Sequence, residues 1–439
     1  MSAYADHIAT VRARFDAALE ASNFDSVLVY AGQPRLAFLD DNPYPYRVNP
    51  LFKYWIPVTQ SPKSALFYQP GQKPVVFLFQ PRDFWHAQAQ VPKEEWQDYV
   101  ELVIVDDQKK IESHLGDKLK DAALLGEDFA EPVASWPVKA WNPQALLDHL
   151  HFHRAIKTDW EVQNLRVANE RAAKAHLAAR AAFFAGASEL EIHQAYLRAI
   201  NFRESEVPYN SIVALNDHGA ILHYDIYDTE APADPARSFL IDAGATYRGY
   251  CADITRTYAR DEKGFFQDLI DAVDEAQQDL LKEIKPGRDY YELHVSQHLK
   301  ISAILSRFGF VEGSAESIYE QGYSSAFFPH GLGHFIGLQV HDVGGYLRND
   351  RGDSYDRDVR HPFLRLLRPV EAGQVFTIEP GLYVVDQLLE DFSGNKDFNW
   401  DRIAELRPYG GVRIEDSIVV GENGNNENLT RDAFEKLKN

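Results

Sequence analysis

The chain has 439 residues, of which 66 are acidic and 45 are basic, and its formal net charge is −21. This acidity argues against nucleic acid as a partner, because binding phosphates requires a basic face. The sequence lacks an apolar run long enough for a membrane span, and its amphipathic start lacks a signal-peptide core. With a single cysteine and more residues than one core accommodates, it is expected to be a cytoplasmic protein of two domains.

The first third of the sequence alternates between helix and strand patterns. A helix is predicted near residues 6–22, and the stretch FDSVLVYAG predicts a strand after it. KSALFYQP and KPVVFLFQP flank Gly71 and predict a hairpin, while VELVIVDD and AALLGED predict two further strands. In sequence, this region does not group acids, histidines and glycines into a site.

The stretch DHLHFHR, residues 148–154, contains His149, His151 and His153. Their alternate spacing predicts an exposed strand or an irregular edge, and the sequence places no carboxylate cluster beside them. We therefore expect solvated or hydrogen-bonded histidines here and exclude them from the functional site.

A long helix is predicted directly after this stretch. Thr158 and Glu161 have the spacing of a capping box, and Gly186 ends the helical pattern. The pattern places a domain boundary near residue 157, which gives domains 1–156 and 157–439. A second helix is predicted over roughly 264–287, where a Pro-Gly pair ends it.

The segment SFLIDAGATYRGYCADITRTY, residues 238–258, predicts two strands around a turn centred between Tyr247 and Arg248. On that register Asp242 faces Asp253, and directly opposed residues have Cβ atoms about 5 Å apart. A pair of exposed turn acids is the alternative, but apolar neighbours place both acids inside the strands. Buried carboxylates that face each other must share a proton or bind cations.

Two later segments add acids to extended backbone. TIEPGLYVV, residues 377–385, carries Glu379 in an apolar strand, and GGVRIEDSIVV, residues 410–420, places Arg413 and Glu415 on one strand face. A structural ion pair between Arg413 and Glu415 stays an alternative. Taken together, the sequence offers four carboxylates on extended segments.

The stretch FFPHGLGHFIGLQVHDVGG, residues 327–345, adds His330, His334 and His341. A solvated loop or hydrogen-bonded core histidines would each explain these rings. However, four carboxylates and one imidazole suit Mn²⁺, Co²⁺ or Zn²⁺, and such a set can hold two ions. We expect one of the three histidines to be the nitrogen ligand and the others to serve the substrate or support the ligands.

The order Asp-x10-Asp, HGLGHFIGLQVHD, TIEPG and VRIED resembles the pita-bread metallopeptidases, which include methionine aminopeptidase, Xaa-Pro aminopeptidase and proline dipeptidase. The resemblance covers roughly residues 157–439, and the first third resembles the creatinase-type N-terminal domain. FLDDNPYPYRVNPLFKYWIP and HPFLRLLRPVEAGQ resemble the branch of bacterial proline dipeptidase and organophosphorus acid anhydrolase. The implied fold is α/β: an αβ N-terminal domain followed by a pita-bread α+β catalytic domain with a curved, largely antiparallel sheet.

The resemblance also implies a role for each candidate site residue. The implied metal ligands are Asp242, Asp253, His334, Glu379 and Glu415. Glu379 would also act as general base and then general acid, and His223 and His341 would be catalytic residues that contact the substrate. The remaining implied substrate residues are His330, Arg413, Arg365 (with Arg368 as the alternative carboxylate-binding arginine) and Asp41, on a loop that a partner subunit contributes.

The implied function is a dinuclear-metal dipeptidase that hydrolyses Xaa-Pro dipeptides and releases proline, with a bridging hydroxide as nucleophile. The resemblance favours two Mn²⁺ ions per subunit, a homodimer, and a side activity on organophosphate triesters. Three alternatives stay open: an Xaa-Pro aminopeptidase that acts on longer peptides, a non-catalytic pita-bread binding protein, and a creatinase-like hydrolase that works without metals.

Overall fold

The structure is a computed structural model that describes residues 2–85, 93–127 and 129–438. The chain forms two compact units. Unit 1 consists of Met1–Arg154, Thr158–Glu161 and Leu347–Ser354, and unit 2 consists of Ala155–Lys157, Val162–Tyr346 and Tyr355–Asn439. Within the described ranges, no helix is both long and apolar enough to cross a bilayer.

Unit 1 contains a mixed six-stranded sheet in the order β4-β3-β2-β1-β5-β6. The predicted hairpin around Gly71 is confirmed, since β2 and β3 pair antiparallel with Ala65 opposite Phe77. The strands are β1 Ser26–Tyr30, β2 Ala65–Tyr68, β3 Val75–Phe79, β4 Glu101–Val105, β5 Ala122–Leu125 and β6 Ala140–Trp141. The helices are α1 Ala3–Ser22, α2 Pro50–Trp55, α3 Lys109–Leu115 and α4 Gln144–Arg154.

Unit 2 combines long helices with short antiparallel strand groups, in the orders β11-β8-β7, β12-β15-β16, β13-β14 and β10-β9. The helices are α5 Asp159–Phe184, α6 Glu189–Ile200, α7 Phe265–Leu281, α8 Tyr290–Arg307, α9 Ala315–Glu320, α10 Asp386–Leu389, α11 Trp400–Leu406 and α12 Leu429–Lys436. The strands are β7 Ile212–Leu215, β8 Ser238–Asp242, β9 Thr246–Tyr247, β10 Tyr250–Cys251, β11 Thr255–Ala259, β12 Val375–Ile378, β13 Gly381–Tyr383, β14 Gly411–Arg413, β15 Asp416–Val419 and β16 Glu427–Asn428. The α/β class with antiparallel strands in the C-terminal region is confirmed.

Local signals set the ends of α5. The capping box is confirmed, because the Thr158 backbone N–H donates to Glu161 Oε2 at 2.9 Å and the Glu161 backbone N–H donates to Thr158 Oγ1 at 3.4 Å. At the other end, Gly186 adopts φ +86°, a left-handed conformation that closes helices. The helix predicted over 264–287 is shorter than expected, since α7 ends at Leu281.

The secondary structure predicted for DHLHFHR is wrong. These residues belong to α4, on which Leu146, His149 and Leu150 are buried at helical spacing. The alternating histidines concealed this 3.6-residue apolar period, so the segment matched a strand pattern.

Candidate metal centre

The four predicted carboxylates all stand where strands of unit 2 end or begin. Asp242 is the last residue of β8, and Asp253 lies two residues before β11. Glu379 falls between β12 and β13, so it occupies a break rather than the interior of one strand, and Glu415 falls between β14 and β15. An antiparallel bridge between Thr255 and Glu415 joins β11 to the segment between β14 and β15, and the Glu415 N–H donates to the Thr255 carbonyl at 3.0 Å.

The predicted pairing of Asp242 with Asp253 is wrong, because the turn lies one residue further along the chain than predicted. Asp242 pairs with Thr255, because the turn is centred on Arg248 and Gly249, both in left-handed conformations with φ 49° and φ 85°. Moving the turn centre by one residue shifts the pairing by two residues. Side chains alternate between faces with a period of two, so Asp242 and Asp253 still share a face as diagonal neighbours.

Tyr209 links these two acids directly. Its hydroxyl lies 2.8 Å from Asp242 Oδ1 and 2.5 Å from Asp253 Oδ1. Since one hydroxyl proton serves only one acceptor at a time, two ionised carboxylates at this oxygen need further positive charge nearby.

Arg413 supplies one such positive charge next to Asp242. Its guanidinium donates to Asp242 Oδ2 at 2.8 Å, to Thr255 Oγ1 at 3.2 Å and to the Tyr383 hydroxyl at 3.0 Å. The Thr255 hydroxyl in turn donates to Glu415 Oε2 at 2.8 Å. Arg413 and Glu415 therefore share a face, as predicted, but the ion pair of Arg413 is with Asp242.

His334 presents one nitrogen to three of the acids. Its Nδ1 donates to the Phe335 carbonyl at 3.0 Å, which leaves Nε2 as the nitrogen that faces the acids. Nε2 lies 3.5 Å from Asp253 Oδ2 and 3.9 Å from both Glu379 Oε1 and Glu415 Oε1. A backbone hydrogen bond that fixes the tautomer in this way is typical of a metal-binding histidine.

Close backbone packing brings His334 to the acids. The Thr377 N–H donates to the His334 carbonyl at 2.9 Å, and the Glu379 N–H donates to the Leu332 carbonyl at 2.8 Å. A Cβ on Gly333 would collide with the Thr377 carbonyl oxygen, so only glycine permits this approach. The glycine in the HGLGH stretch therefore has a packing role beside the ligand.

Burial makes this arrangement costly for anions. Burial raises the pKa of Glu379 to about 7 and the pKa of Glu415 well above its usual range. Burial, with the adjacent Asp253 charge, also raises the pKa of Asp242. Burial pushes the pKa of Asp253 in the same direction, but a protonated His334 beside it brings this pKa below the usual value. Burial lowers the pKa of His334, but Asp253 and Glu379 raise it on balance, so the nitrogen that faces the acids would hold either a proton or a metal ion.

The donor set fits divalent cations. Asp253, His334 and Glu415 each offer a ligand atom within 4.8 Å of the others, and all three are buried. Carboxylate oxygens with one imidazole suit Mn²⁺, Co²⁺ or Zn²⁺, and cations would remove the repulsion among the four acids.

His330 stands beside Glu379 with both ring nitrogens engaged. Nδ1 donates to the Gly331 carbonyl at 2.9 Å, so Nε2 accepts from the Tyr383 hydroxyl at 2.9 Å. Nδ1 is also 3.7 Å from Glu379 Oε2. His330 therefore lies next to the ligands, but both of its ring nitrogens already form hydrogen bonds with protein groups.

His341 and His223 lie on the outer side of the ligands. The His341 ring packs edge-on against His334, with centroids 4.4 Å apart. His223 is exposed and lies close enough to His330 and His341 to act on the pKa values of both. The residue after His341, Asp342, forms a buried ion pair with Lys157 at 3.0 Å, which anchors this segment.

The two candidate arginines differ in availability. Arg365 is exposed and its charge acts on His341. Arg368 is buried, and its guanidinium binds Glu371 Oε1 at 2.7 Å. Of the two, Arg365 is the one with a side chain at the surface near the site.

Asp41 belongs to unit 1, on an exposed loop. Leu36 and Pro43 form an antiparallel bridge at its base, and Phe38 and Leu39 at its tip are 89% and 90% exposed. The loop therefore displays apolar side chains beside the Asp41 carboxylate.

The excluded histidines do meet an acid, which the sequence did not indicate. His149 and His153 lie one turn apart on α4, and their Nε2 atoms are 3.5 Å and 3.2 Å from Asp350 Oδ2. Asp350 follows almost 200 residues later in the chain, so sequence spacing gave no sign of this contact.

Sequence reasoning missed Tyr209, Thr255 and Tyr383. Thr255 was detectable, because it stands two residues after Asp253 and so shares its face. Tyr209 and Tyr383 contact the acids through hydroxyl groups from separate segments, and a tyrosine in an apolar stretch resembles any core residue.

Comparison with known proteins identifies the family. The profile described as "Metallopeptidase family M24" matches residues 163–422, and "Xaa-Pro dipeptidase, N-terminal domain" matches residues 2–152. The chain belongs to metallopeptidase family M24, in its Xaa-Pro dipeptidase branch. This confirms the resemblance that the motifs indicated, and it makes the chain a peptide hydrolase.

Similar proteins span the whole chain. The relative named Xaa-Pro dipeptidase 2 from Idiomarina loihiensis is 69% identical over 438 residues, covering 100% of this chain and 99% of the relative. Xaa-Pro dipeptidase from Xanthomonas campestris is 46% identical over 434 residues, covering 98% and 97%. The solved structure of proline aminopeptidase P II from Yersinia pestis is 25% identical with a TM-score of 0.73, covering 99% and 97%.

Proposed function

We propose that this M24 metallopeptidase hydrolyses Xaa-Pro dipeptides and releases C-terminal proline. The observation that carries the proposal is a group of four carboxylates: Asp253, Glu379 and Glu415 lie within 3.9 Å of His334 Nε2, and Asp242 is joined to Asp253 through the Tyr209 hydroxyl. The names of its relatives, Xaa-Pro dipeptidases, support the substrate class. We further propose residues 1–156 as the N-terminal domain and 157–439 as the catalytic domain.

The proposed ligands of two divalent ions, most simply Mn²⁺, lie close together, three of them buried and two, Asp242 and Glu379, half-buried: Asp242, Asp253, His334, Glu379 and Glu415. When bound, such ions activate water and polarise the scissile carbonyl. Arg413, Tyr209 and Thr255 would position the acids, since each donates a hydrogen bond to at least one of them.

Glu379 is the proposed proton carrier. Its carboxylate lies among the other proposed ligands, with Oε1 3.9 Å from His334 Nε2, where it is placed to accept a proton and return it. It would take a proton from the attacking water and return it to the departing imide nitrogen of proline. His330 lies 3.7 Å from its Oε2 and packs beside this carboxylate without a hydrogen bond to it.

The remaining proposed roles concern the substrate. His223 and His341 would hydrogen-bond near the scissile carbonyl and steady the tetrahedral intermediate, and Arg365 would bind the free carboxylate of proline. Arg413 is better suited to positioning Asp242 than to contacting substrate, because it is buried and each of its three nitrogens already donates a hydrogen bond to the protein. Asp41 would reach the substrate entrance of a second subunit in a homodimer.

An Xaa-Pro aminopeptidase is the second candidate, because solved structures of aminopeptidase P have the same fold. A cytoplasmic location and a side activity on organophosphate triesters also belong to the proposal. The latter is chemically reasonable because water activated by two ions can attack phosphorus as well as carbon.

The deciding experiment measures proline release from Xaa-Pro dipeptides and cleavage of matched Xaa-Pro-Xaa tripeptides, with and without added Mn²⁺. We expect metal-dependent cleavage of dipeptides and little cleavage of tripeptides. Efficient cleavage of tripeptides would instead establish the aminopeptidase. A protein that cleaves neither after metal loading would be a non-catalytic binding protein, and activity that survives complete metal removal would favour the creatinase-like alternative.

A further inference from the structure

Three buried histidines meet in unit 2, and none of them belongs to the proposed ligand set. His294 and His298 lie one turn apart on α8, and His361 comes from the irregular segment before Arg365. The ring centroids are 4.6 Å apart for His294–His298, 4.4 Å for His294–His361 and 4.8 Å for His298–His361. Their exposed fractions are 1%, 1% and 7%, so water competes little for these rings.

The hydrogen bonds around the rings leave nitrogens unused. His298 Nδ1 lies 2.9 Å from Ser324 Oγ, and His361 Nε2 lies 3.2 Å from the Tyr319 hydroxyl, so each ring retains its second nitrogen. His294 Nδ1 is buried and has no hydrogen-bond partner among the described residues. A buried nitrogen without a partner costs stability, which a bound ligand would recover.

The grouping resembles that of the proposed catalytic ligands. His294, His298 and His361 each offer a nitrogen within 4.8 Å of the others, and the ligand atoms of Asp253, His334 and Glu415 also lie within 4.8 Å of one another. Both groups consist only of buried residues. We propose that His294, His298 and His361 form a separate site for a divalent transition cation, Zn²⁺.

The chemistry of the three rings favours zinc. Three imidazoles suit Zn²⁺, whereas Mn²⁺ prefers oxygen ligands, so the two sites would select different ions. Burial lowers the pKa of His298 to about 3 and also lowers those of His294 and His361, which keeps the rings in the neutral form that binds metals. Binding through His298 Nε2 and His361 Nδ1 would leave Ser324 and Tyr319 to orient both rings through their other nitrogens.

Zinc would require the three rings to draw together. Tetrahedral ligands at the usual Zn–N distance have nitrogens roughly 3.3 Å apart. Such a site would tie α8 to the segment that carries His361. Asp358, whose charge acts on His361, would provide a nearby negative charge on the surface side.

Other groups of potential ligands have simpler explanations. Glu189 already accepts hydrogen bonds from the Leu215 N–H, the Asp228 N–H, the Tyr224 hydroxyl and His218, so it leaves little capacity for an ion. The group of His149, His153 and Asp350 is half open to water, since the last two are 39% and 37% exposed.

The test counts zinc ions. The purified protein is stripped with a chelator, reloaded with excess Zn²⁺, desalted, and analysed for zinc per chain. We expect His361→Phe and His294→Phe each to bind one zinc fewer than the unaltered protein, while His153→Phe binds the same number. Circular dichroism checks that each variant is folded, and His361→Phe, which lies outside the helices, carries the test if His294→Phe does not fold.

A variant without two of the carboxylate ligands separates this inference from the proposed function. In Asp253→Ala/Glu415→Ala, which disables the carboxylate site, we expect one zinc to remain and to disappear when His361→Phe is added. If the carboxylate site does not bind zinc at all, adding His361→Phe should still lower the zinc count by one. Equal zinc counts with and without His361→Phe, in folded proteins, would overturn the histidine site.

Discussion

Two stretches of this chain carry three closely spaced histidines each, yet they build different structures. In residues 148–154 the rings lie on helix α4, where His149 and His153 reach one acid, Asp350. In residues 327–345 the backbone is irregular and packs on strands, where His334 Nε2 faces Asp253, Glu379 and Glu415. The difference shows that the strands which deliver acids, rather than the number of histidines, define a metal centre.

The largest expected effect tests the acids around His334. Glu379→Gln should reduce kcat for Xaa-Pro dipeptides by ~10²–10⁴-fold, because an amide can neither accept nor return the proton. Steady-state kinetics on metal-loaded protein measures this change. Glu320→Gln, the same substitution at an exposed residue outside the site, serves as the control and should leave kcat unaltered. Near wild-type activity in Glu379→Gln would remove this residue from the mechanism.

A smaller effect is expected at the substrate side of the same stretch. Arg365→Ala should raise KM for dipeptides on the order of ten- to a hundredfold, the value of a hydrogen bond between charged groups. The amidated substrate Xaa-Pro-NH₂ should be affected much less, since it has no carboxylate. Arg351→Ala, at an exposed arginine outside the proposed site, is the control. Equal losses on the two substrates would show that Arg365 does not recognise the carboxylate.

The close backbone approach at His334 can be broken without touching a ligand. In Gly333→Ala the new methyl group meets the Thr377 carbonyl, and overpacking of this kind costs roughly 1–3 kcal/mol. We expect a lower midpoint in urea unfolding and weaker Mn²⁺ binding. Gly394→Ala tests the opposite case, because a methyl group added there would meet no heavy atom of the described residues within 4 Å, although its φ of +76° adds local strain. Unchanged Mn²⁺ affinity in Gly333→Ala would mean that the segment adjusts without moving His334.

The smallest effect is expected in the other histidine stretch. His149→Ala and His151→Ala should each change kcat/KM by less than about twofold, because neither ring belongs to the proposed site. The same dipeptide assay measures both variants. A loss comparable to that in Arg365→Ala would show that α4 contributes to catalysis and would end the contrast between the two stretches.

The carboxylates were predictable because each interrupts an apolar strand pattern, and alternation determines the face on which it lies. The shared face of Asp242 and Asp253 was predicted correctly although the turn centre was placed one residue too early, because a pairing shift of two residues preserves the face. The helix α4 and the contact with Asp350 were not predictable, because the histidines hid the helical period and the acid is distant in sequence. The hydroxyl contacts of Tyr209 and Tyr383 depend on three-dimensional packing alone.

The single cysteine provides a built-in reporter of motion at this site. Cys251 lies two residues before Asp253, its thiol is buried, and its backbone N–H donates to the Gly337 carbonyl at 2.9 Å. A thiol reagent can reach it only when the hairpin opens, so the labelling rate reports the opening free energy of that hairpin. Slower labelling after addition of Mn²⁺ would register the ions closing the strands around them, in a protein that needs no engineered probe.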